Sequence, residues 1–101
     1  MKHQRMEELI QTEILPKVLK TRDEGQKEYA QDVDNVFANF ERIALAVDVD
    51  RERVLMTYLL KHIDGISAYV KGHRSQREDI RGRITDATVY LWILWAMIEE
   101  D

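Results

Sequence analysis

The chain has no cysteine, a single proline and only four glycines in 101 residues. Without cysteine there is no disulfide framework, no thiolate metal site and no cysteine nucleophile, so folding does not need an oxidising compartment. So little proline and glycine leaves few places for tight turns and long stretches for uninterrupted helix. A long apolar run is missing too. The longest, Ala87 to Ile98 with Thr88 inside it, falls well short of the roughly 20 residues that cross a bilayer, and the start Met1 to Glu8 has no apolar signal core. Nor is there a body of one charge sign. The formal charge of −4 comes mostly from Glu99, Glu100 and Asp101, so duplex DNA is not an expected partner. These absences predict one all-α domain over residues 1–101, cytoplasmic and without a membrane partner.

What is present is helical periodicity. Met6, Leu9, Ile10, Ile14 and Val18 recur at three and four and predict a first helix over about residues 3–20, kinked or broken by Pro16. Thr21-Arg22-Asp23-Glu24 has capping-box form, with Gly25 following, so a short helical turn or a loop comes next. Val36, Phe37, Phe40, Ile43, Ala44 and Val47 mark a second helix from Asp34, and Asp48-Val49-Asp50 can cap the third. That third helix runs from about Arg51 to Lys71, with Val54, Leu55, Tyr58, Leu59, His62, Ile63, Ile66 and Val70 on its core face and Gly72 as its stop. Ser75-Gln76-Arg77-Glu78 is a second capping box, opening a fourth helix with Ile80, Ile84, Ala87, Leu91, Leu94 and Ile98 inward. The short connection predicts an antiparallel hairpin of helices three and four inside a four-helix bundle.

The fourth helix is apolar on nearly every side in its second half, through Val89, Tyr90, Trp92, Ile93, Trp95, Ala96 and Met97. Tryptophan rings bury about 150–250 Å² each, so a single-layer bundle cannot cover them all. The expectation is a homo-oligomer through Trp92, Trp95 and Met97.

Polar residues on the hairpin carry the chemistry. Lys61-x-x-Asp64 on the third helix and Arg83-x-x-Asp86 on the fourth face each other across the hairpin. Crossed ion pairs, Lys61 with Asp86 and Arg83 with Asp64, would fix helix register and need no activity. From Lys71 to Arg83 five Lys or Arg residues stand against two acids, and a helix start adds positive partial charge, so Arg77, Arg81 and Arg83 are candidate phosphate contacts. His62 reads as a satisfied core or interface histidine. Phe37 and Phe40 read as core, with Tyr29 and Asn39 as candidate base-stacking and amide-reading groups. No Gly-rich phosphate loop and no nucleophile elbow occurs.

This layout resembles the all-α NTP pyrophosphohydrolase superfamily, the MazG-like and dimeric dUTPase-like proteins. There, Glu-x-x-Glu on one helix and Glu-x-x-Asp on the next hold Mg²⁺ against a nucleotide's phosphates. More narrowly, the runs Tyr58 to Ile66 and Glu78 to Leu91, with Glu28-Tyr29 to Phe40 upstream, look like small phage-encoded domains described as nucleotide-modification-associated. The resemblance implies a nucleotide or nucleotide-derived partner in a host cytoplasm, Mg²⁺ as cofactor, and Asp64 and Asp86 as metal ligands. The first acid of each motif is replaced, by Lys61 and Arg83. Cations cannot ligate Mg²⁺, but they can meet phosphate oxygens. Three activities stay open: metal-assisted release of pyrophosphate from an NTP, nucleotide binding without turnover, and a non-enzymatic oligomeric scaffold or protein-interaction module. No residue is assigned as catalytic.

Overall fold

The computed structural model describes residues 1–30, 34–75 and 77–101. Gln31, Asp32 and Val33, in the first connection, and Gln76, in the second capping box, lie outside the described residues. All regular structure among the described residues is helical, and no helix there is long and apolar enough to cross a membrane.

The chain opens as one continuous helical rod: α1 (His3–Leu9), a π-helical stretch (Ile10–Ile14), α2 (Leu15–Gly25) and a second π-helical stretch (Gln26–Ala30). Pro16 neither breaks the rod nor ends it. It sits in the first turn of α2, and the wider π register just before it relieves the clash its ring would make with the Thr12 carbonyl. Thr12 in turn donates its hydroxyl to the Glu8 carbonyl at 2.7 Å. The rod outlasts the expected end at residue 20. Thr21 to Glu24 are helix interior, laced by the ion pairs Lys20–Glu24 at 3.8 Å and Lys27–Asp23 at 3.0 Å, and anchored by buried Val18 and Ala30. These 28 residues at about 1.5 Å each account for most of the molecule's 45 Å length. None of α1 is buried.

α3 (Ala38–Val47) follows a turn held by Asn35, whose Oδ1 accepts from the Phe37 N–H at 3.0 Å while its Nδ2 donates to Glu41 at 2.8 Å. Asp48, in the left-handed region at φ 56°, ends it. Asp50 then caps α4 (Arg51–Val70), accepting from the Arg53 N–H at 2.8 Å, and Gly72 at φ +107° supplies the reversal that ends that helix. The end of α3 and both ends of α4 fall where the sequence predicts them, whereas the second helix, expected from Asp34, starts only at Ala38, because Asn35 holds the preceding residues in a turn. The cap of α5 (Ile80–Glu100) differs too: Asp79, rather than Ser75, accepts from the Arg81 N–H at 2.7 Å.

α4 and α5 run antiparallel. Gly65 meets Arg83, His62 meets Asp86, Tyr58 stacks on Tyr90, and Arg51 reaches Asp101. α2 lies against α5, and α3 against α4. The core gathers Phe37, Phe40, Val54, Leu55 and Met97, flanked by Tyr58, Tyr90, Ile93 and Leu94. Met97, expected at an oligomer surface, has no exposed area and belongs to this core. Of the stripe expected inward on α5, Ala87 is buried and Leu94 packs against the core, whereas Ile84, Leu91 and Ile98 are exposed together with Trp92 and Trp95; on α4, Ile63 and Val70 are exposed as well. A helix apolar all round has no polar face to orient it, so packing chose the side carrying Thr85, Ala87, Val89 and Met97, which overlaps the expected stripe only in part.

Candidate functional site

A cleft of about 210 Å³ opens where α2 and the second π stretch pass α3 and α5. Arg22, Glu24, Glu28 and Tyr29 come from the rod, Asn39 and Phe40 from α3, and Asp86 and Tyr90 from α5. Asn39 Oδ1 accepts from Arg42 at 2.9 Å, and the same guanidinium donates to the Tyr29 carbonyl at 3.1 Å. This ties the π stretch to α3, and the Asn39 amide N–H groups have no partner among the described residues. Arg22 makes no ion pair among the described residues. The negative charge of the neighbouring Glu28 carboxylate raises the Tyr29 phenol above its ordinary pKa.

Asp86 closes one end of the cleft and also belongs to a second group of side chains. Its Oδ2 lies 3.7 Å from His62 Nε2, and Glu78 completes a set whose ligating atoms all lie within 4.8 Å of one another. His62 is buried, its Nδ1 unpartnered, and its ring lies 5.7 Å from that of Tyr90. Burial pushes the Asp86 carboxyl above its ordinary value. His62 opposes that most, Glu78 reinforces it, and the charges of Lys61 and Arg83 pull the other way.

Gly65 acquires a reason here. A Cβ at that position would stand 2.6 Å from Arg83 Nη1, so the bare backbone of α4 is what lets the Arg83 side chain lie across it. Arg83 is thereby mostly buried and reaches Glu78 at 4.0 Å, with its Nε unpartnered. The crossed ion pairs expected between the two motifs are replaced. Asp86 pairs with His62, Arg83 pairs with Glu78, and neither Lys61 nor Asp64 has an ion pair among the described residues.

Of the residues singled out in the sequence, Tyr29, Asn39 and Asp86 meet at the cleft. Lys61 and Asp64 are exposed on α4, and Arg77 is exposed in the connection to α5. Arg81 lines a separate, shallower depression with Tyr69, Arg74 and Glu78, where the Arg74 guanidinium sits 4.1 Å over the Tyr69 ring. Arg22 and Glu24 escaped notice because they read as a cap. Their signal was the spacing of Arg22, Gln26 and Tyr29, which puts all three on one helical face.

Comparison with protein-family models, curated proteins and solved structures finds no match to this chain. The site therefore has to be read from its own chemistry.

Tyr90 offers a direct check on its packing. Burial, reinforced by the negative charge of Asp86, pushes its phenol up to about 12. An unfolded tyrosine ionises near about 10, so above that pH the folded state alone must keep the proton. Its contribution to stability is present below about pH 10 and is lost as pH rises through about 12. Phenolate absorbance should show a step near pH 12 that Tyr90→Phe removes; its persistence in that variant would place the buried phenol elsewhere.

Proposed function

We propose that the protein binds a nucleotide or nucleotide-derived signal, as a MazG-like domain of phage type, with the nucleoside in the α2–α3–α5 cleft and the phosphates toward Asp86. What carries this reading is the position of Asp86: it lines the cleft with Tyr29 and Asn39 and feels the charges of Lys61 and Arg83. Tyr29 supplies a ring for stacking, Asn39 supplies amide donors, and Arg22 supplies a cation without an ion pair among the described residues. Glu24, Glu28 and Asp86 outnumber that cation. A polyphosphate therefore enters best with a divalent counterion, for which Mg²⁺ is the first choice. As a resident ion held by Asp64 and Asp86, Mg²⁺ fits poorly, since Asp64 stands outside the group of ligating atoms around Asp86.

The test is a thermal-shift screen against mono-, di-, tri- and cyclic nucleotides, with and without Mg²⁺. Ligand at about 100 times its Kd stabilises the folded state by about 2.7 kcal/mol. Stacking on an aromatic ring is worth about 1–3 kcal/mol per base, so Tyr29→Ala should weaken binding by roughly 5- to 150-fold, and Arg22→Ala should weaken anionic ligands more than nucleosides. Ligand recovered intact means binding without turnover, whereas released pyrophosphate means hydrolysis. Silence across the panel removes the reading.

The exposed apolar face of α5 favours a second, compatible reading, a homo-oligomer. Leu91, Trp92, Trp95 and Ile98 are all exposed on one helix, an arrangement that single chains rarely leave in water. Light scattering should give a mass above the 12.0 kDa of one chain, and Trp95→Lys should lower it.

A further inference from the structure

We propose that His62, Glu78 and Asp86 form a site for a divalent transition-metal ion of the Mn²⁺ to Zn²⁺ series, rather than for Mg²⁺. The inference deepens the nucleotide reading, because Asp86 serves both the cleft and this site.

The donor set decides the class of ion. One imidazole nitrogen and two carboxylates suit Zn²⁺, Co²⁺ or Mn²⁺, whereas Mg²⁺ takes oxygen ligands and gives up its water reluctantly. The three donors come from three places: His62 from α4, Glu78 from the connection and Asp86 from the second turn of α5. Ligand atoms around such an ion, each bonded at about 2.0–2.2 Å, stand about 3.3 Å apart. The present set lies within 4.8 Å, and the His62–Asp86 pair is already at 3.7 Å. Closing the remainder falls to Glu78, an exposed residue ahead of α5. Arg83 engages one Glu78 oxygen at 4.0 Å and leaves the other for a metal.

Independent of the acids, His62 points to a ligand. Its side chain is 8% exposed, Nδ1 has no partner, and Nε2 is directed at Asp86. Buried side-chain polar atoms as a rule have a hydrogen-bond partner, whereas His62 Nε2, at 3.7 Å from the Asp86 carboxylate, is too far to hydrogen-bond it and is placed for an ion to stand between them. Two carboxylates that share this space repel each other, and a divalent ion would cancel their charge. Lys61 and Arg83 would then remain beside a neutral centre, available to an anion such as a phosphate. Three protein donors leave coordination positions open to water or to that anion.

The experiment titrates the tag-free full chain with Co²⁺, followed by visible absorbance, and with Zn²⁺ and Mg²⁺ by calorimetry, all without nucleotide. The expected result is about one Co²⁺ or Zn²⁺ per chain, d–d bands that change in His62→Asn, and affinity at least about tenfold weaker in Glu78→Gln and Asp86→Asn. Glu78 is exposed, so Glu78→Gln keeps the fold and stands even where the His62 variant does not fold. Absence of binding, undiminished binding in Glu78→Gln, or Mg²⁺ binding as tightly as Zn²⁺ would each overturn the proposal. The nucleotide reading is scored separately, by the nucleotide-induced thermal shift with Mg²⁺ in Glu78→Gln, whose substituted residue lies outside the cleft, and by its loss in Tyr29→Ala. Failure of one therefore leaves the other visible.

Discussion

Replacing Leu55 by alanine is expected to destabilise the protein by about 2–5 kcal/mol. Leu55 has no exposed area and lies in the cluster formed with Phe37, Phe40, Val54 and Met97. That cluster joins α3, α4 and the end of α5, so a cavity there loosens three elements at once. The surrounding rings cannot collapse into it freely. Phe40, Tyr58 and Tyr90 brace one another, with Phe40 edge-on to both tyrosines at 6.4 and 6.1 Å and the tyrosines stacked at 6.2 Å. In a domain of about 100 residues each kcal/mol moves Tm by about 4–8 °C, so the loss is large enough to read in a simple melt. Leu55→Met, which conserves volume, should cost less than about 1.5 kcal/mol. Urea denaturation checks both: the midpoint should fall with m unchanged. A loss under about 1 kcal/mol for the alanine variant would show that the core does not rest on this residue.

Arg51→Ala should cost about 1.5–3 kcal/mol, through a different mechanism. The guanidinium reaches Glu41 at 3.2 Å, Glu52 at 3.4 Å, Glu100 at 3.7 Å and Asp101 at 3.2 Å, and it sits 4.5 Å over the Phe37 ring. It thus ties the starts of α3 and α4 to the end of α5. Any one of these exposed acids would contribute well under about 1 kcal/mol. Four acids on one mostly buried cation form a network, and the contact with Phe37 adds about 0.5–1 kcal/mol. Removing the cation also leaves those carboxylates to repel one another. Arg51→Lys should recover only part of the loss, because a point charge cannot bridge four acids or lie flat on a ring. Measured in about 1 M salt, where the Debye length shrinks to about 3 Å, the difference between wild type and Arg51→Ala should narrow. An unchanged difference would assign the effect to packing alone.

Helix boundaries set by local chemistry were legible. Asp50 caps α4 and Gly72 ends it because a short carboxylate and a residue free of Cβ solve problems that lie within four or five residues of them. Where two local solutions competed, the sequence could not choose. Ser75 and Asp79 are both able to open α5, and Asp79 does so. The Pro16 reading shows the same limit from the other side. A proline inside a helical pattern demands some adjustment, but whether the chain breaks, kinks or widens into a π turn depends on whether later residues have something to pack against. Val18 and Ala30 do, so the rod continues. Orientation of α5 was legible only in part, Ala87 and Leu94 turning inward as expected, for a plainer reason: with apolar side chains on nearly every face, each face is an acceptable inner one.

By itself the sequence determined an all-α chain with one aromatic, over-apolar helix, and it marked the acids and cations of the hairpin as its chemistry. Composition and period suffice for that, because they act over a turn or two of helix. Tertiary structure decided which of those residues meet. It buried Met97 and exposed Leu91, Trp92 and Trp95, laid Arg83 across Gly65, and set His62 rather than Lys61 against Asp86. Each of these depends on the register between helices, which a chain fixes only when both are packed. A functional site assembled from three separate elements has no local signature to read.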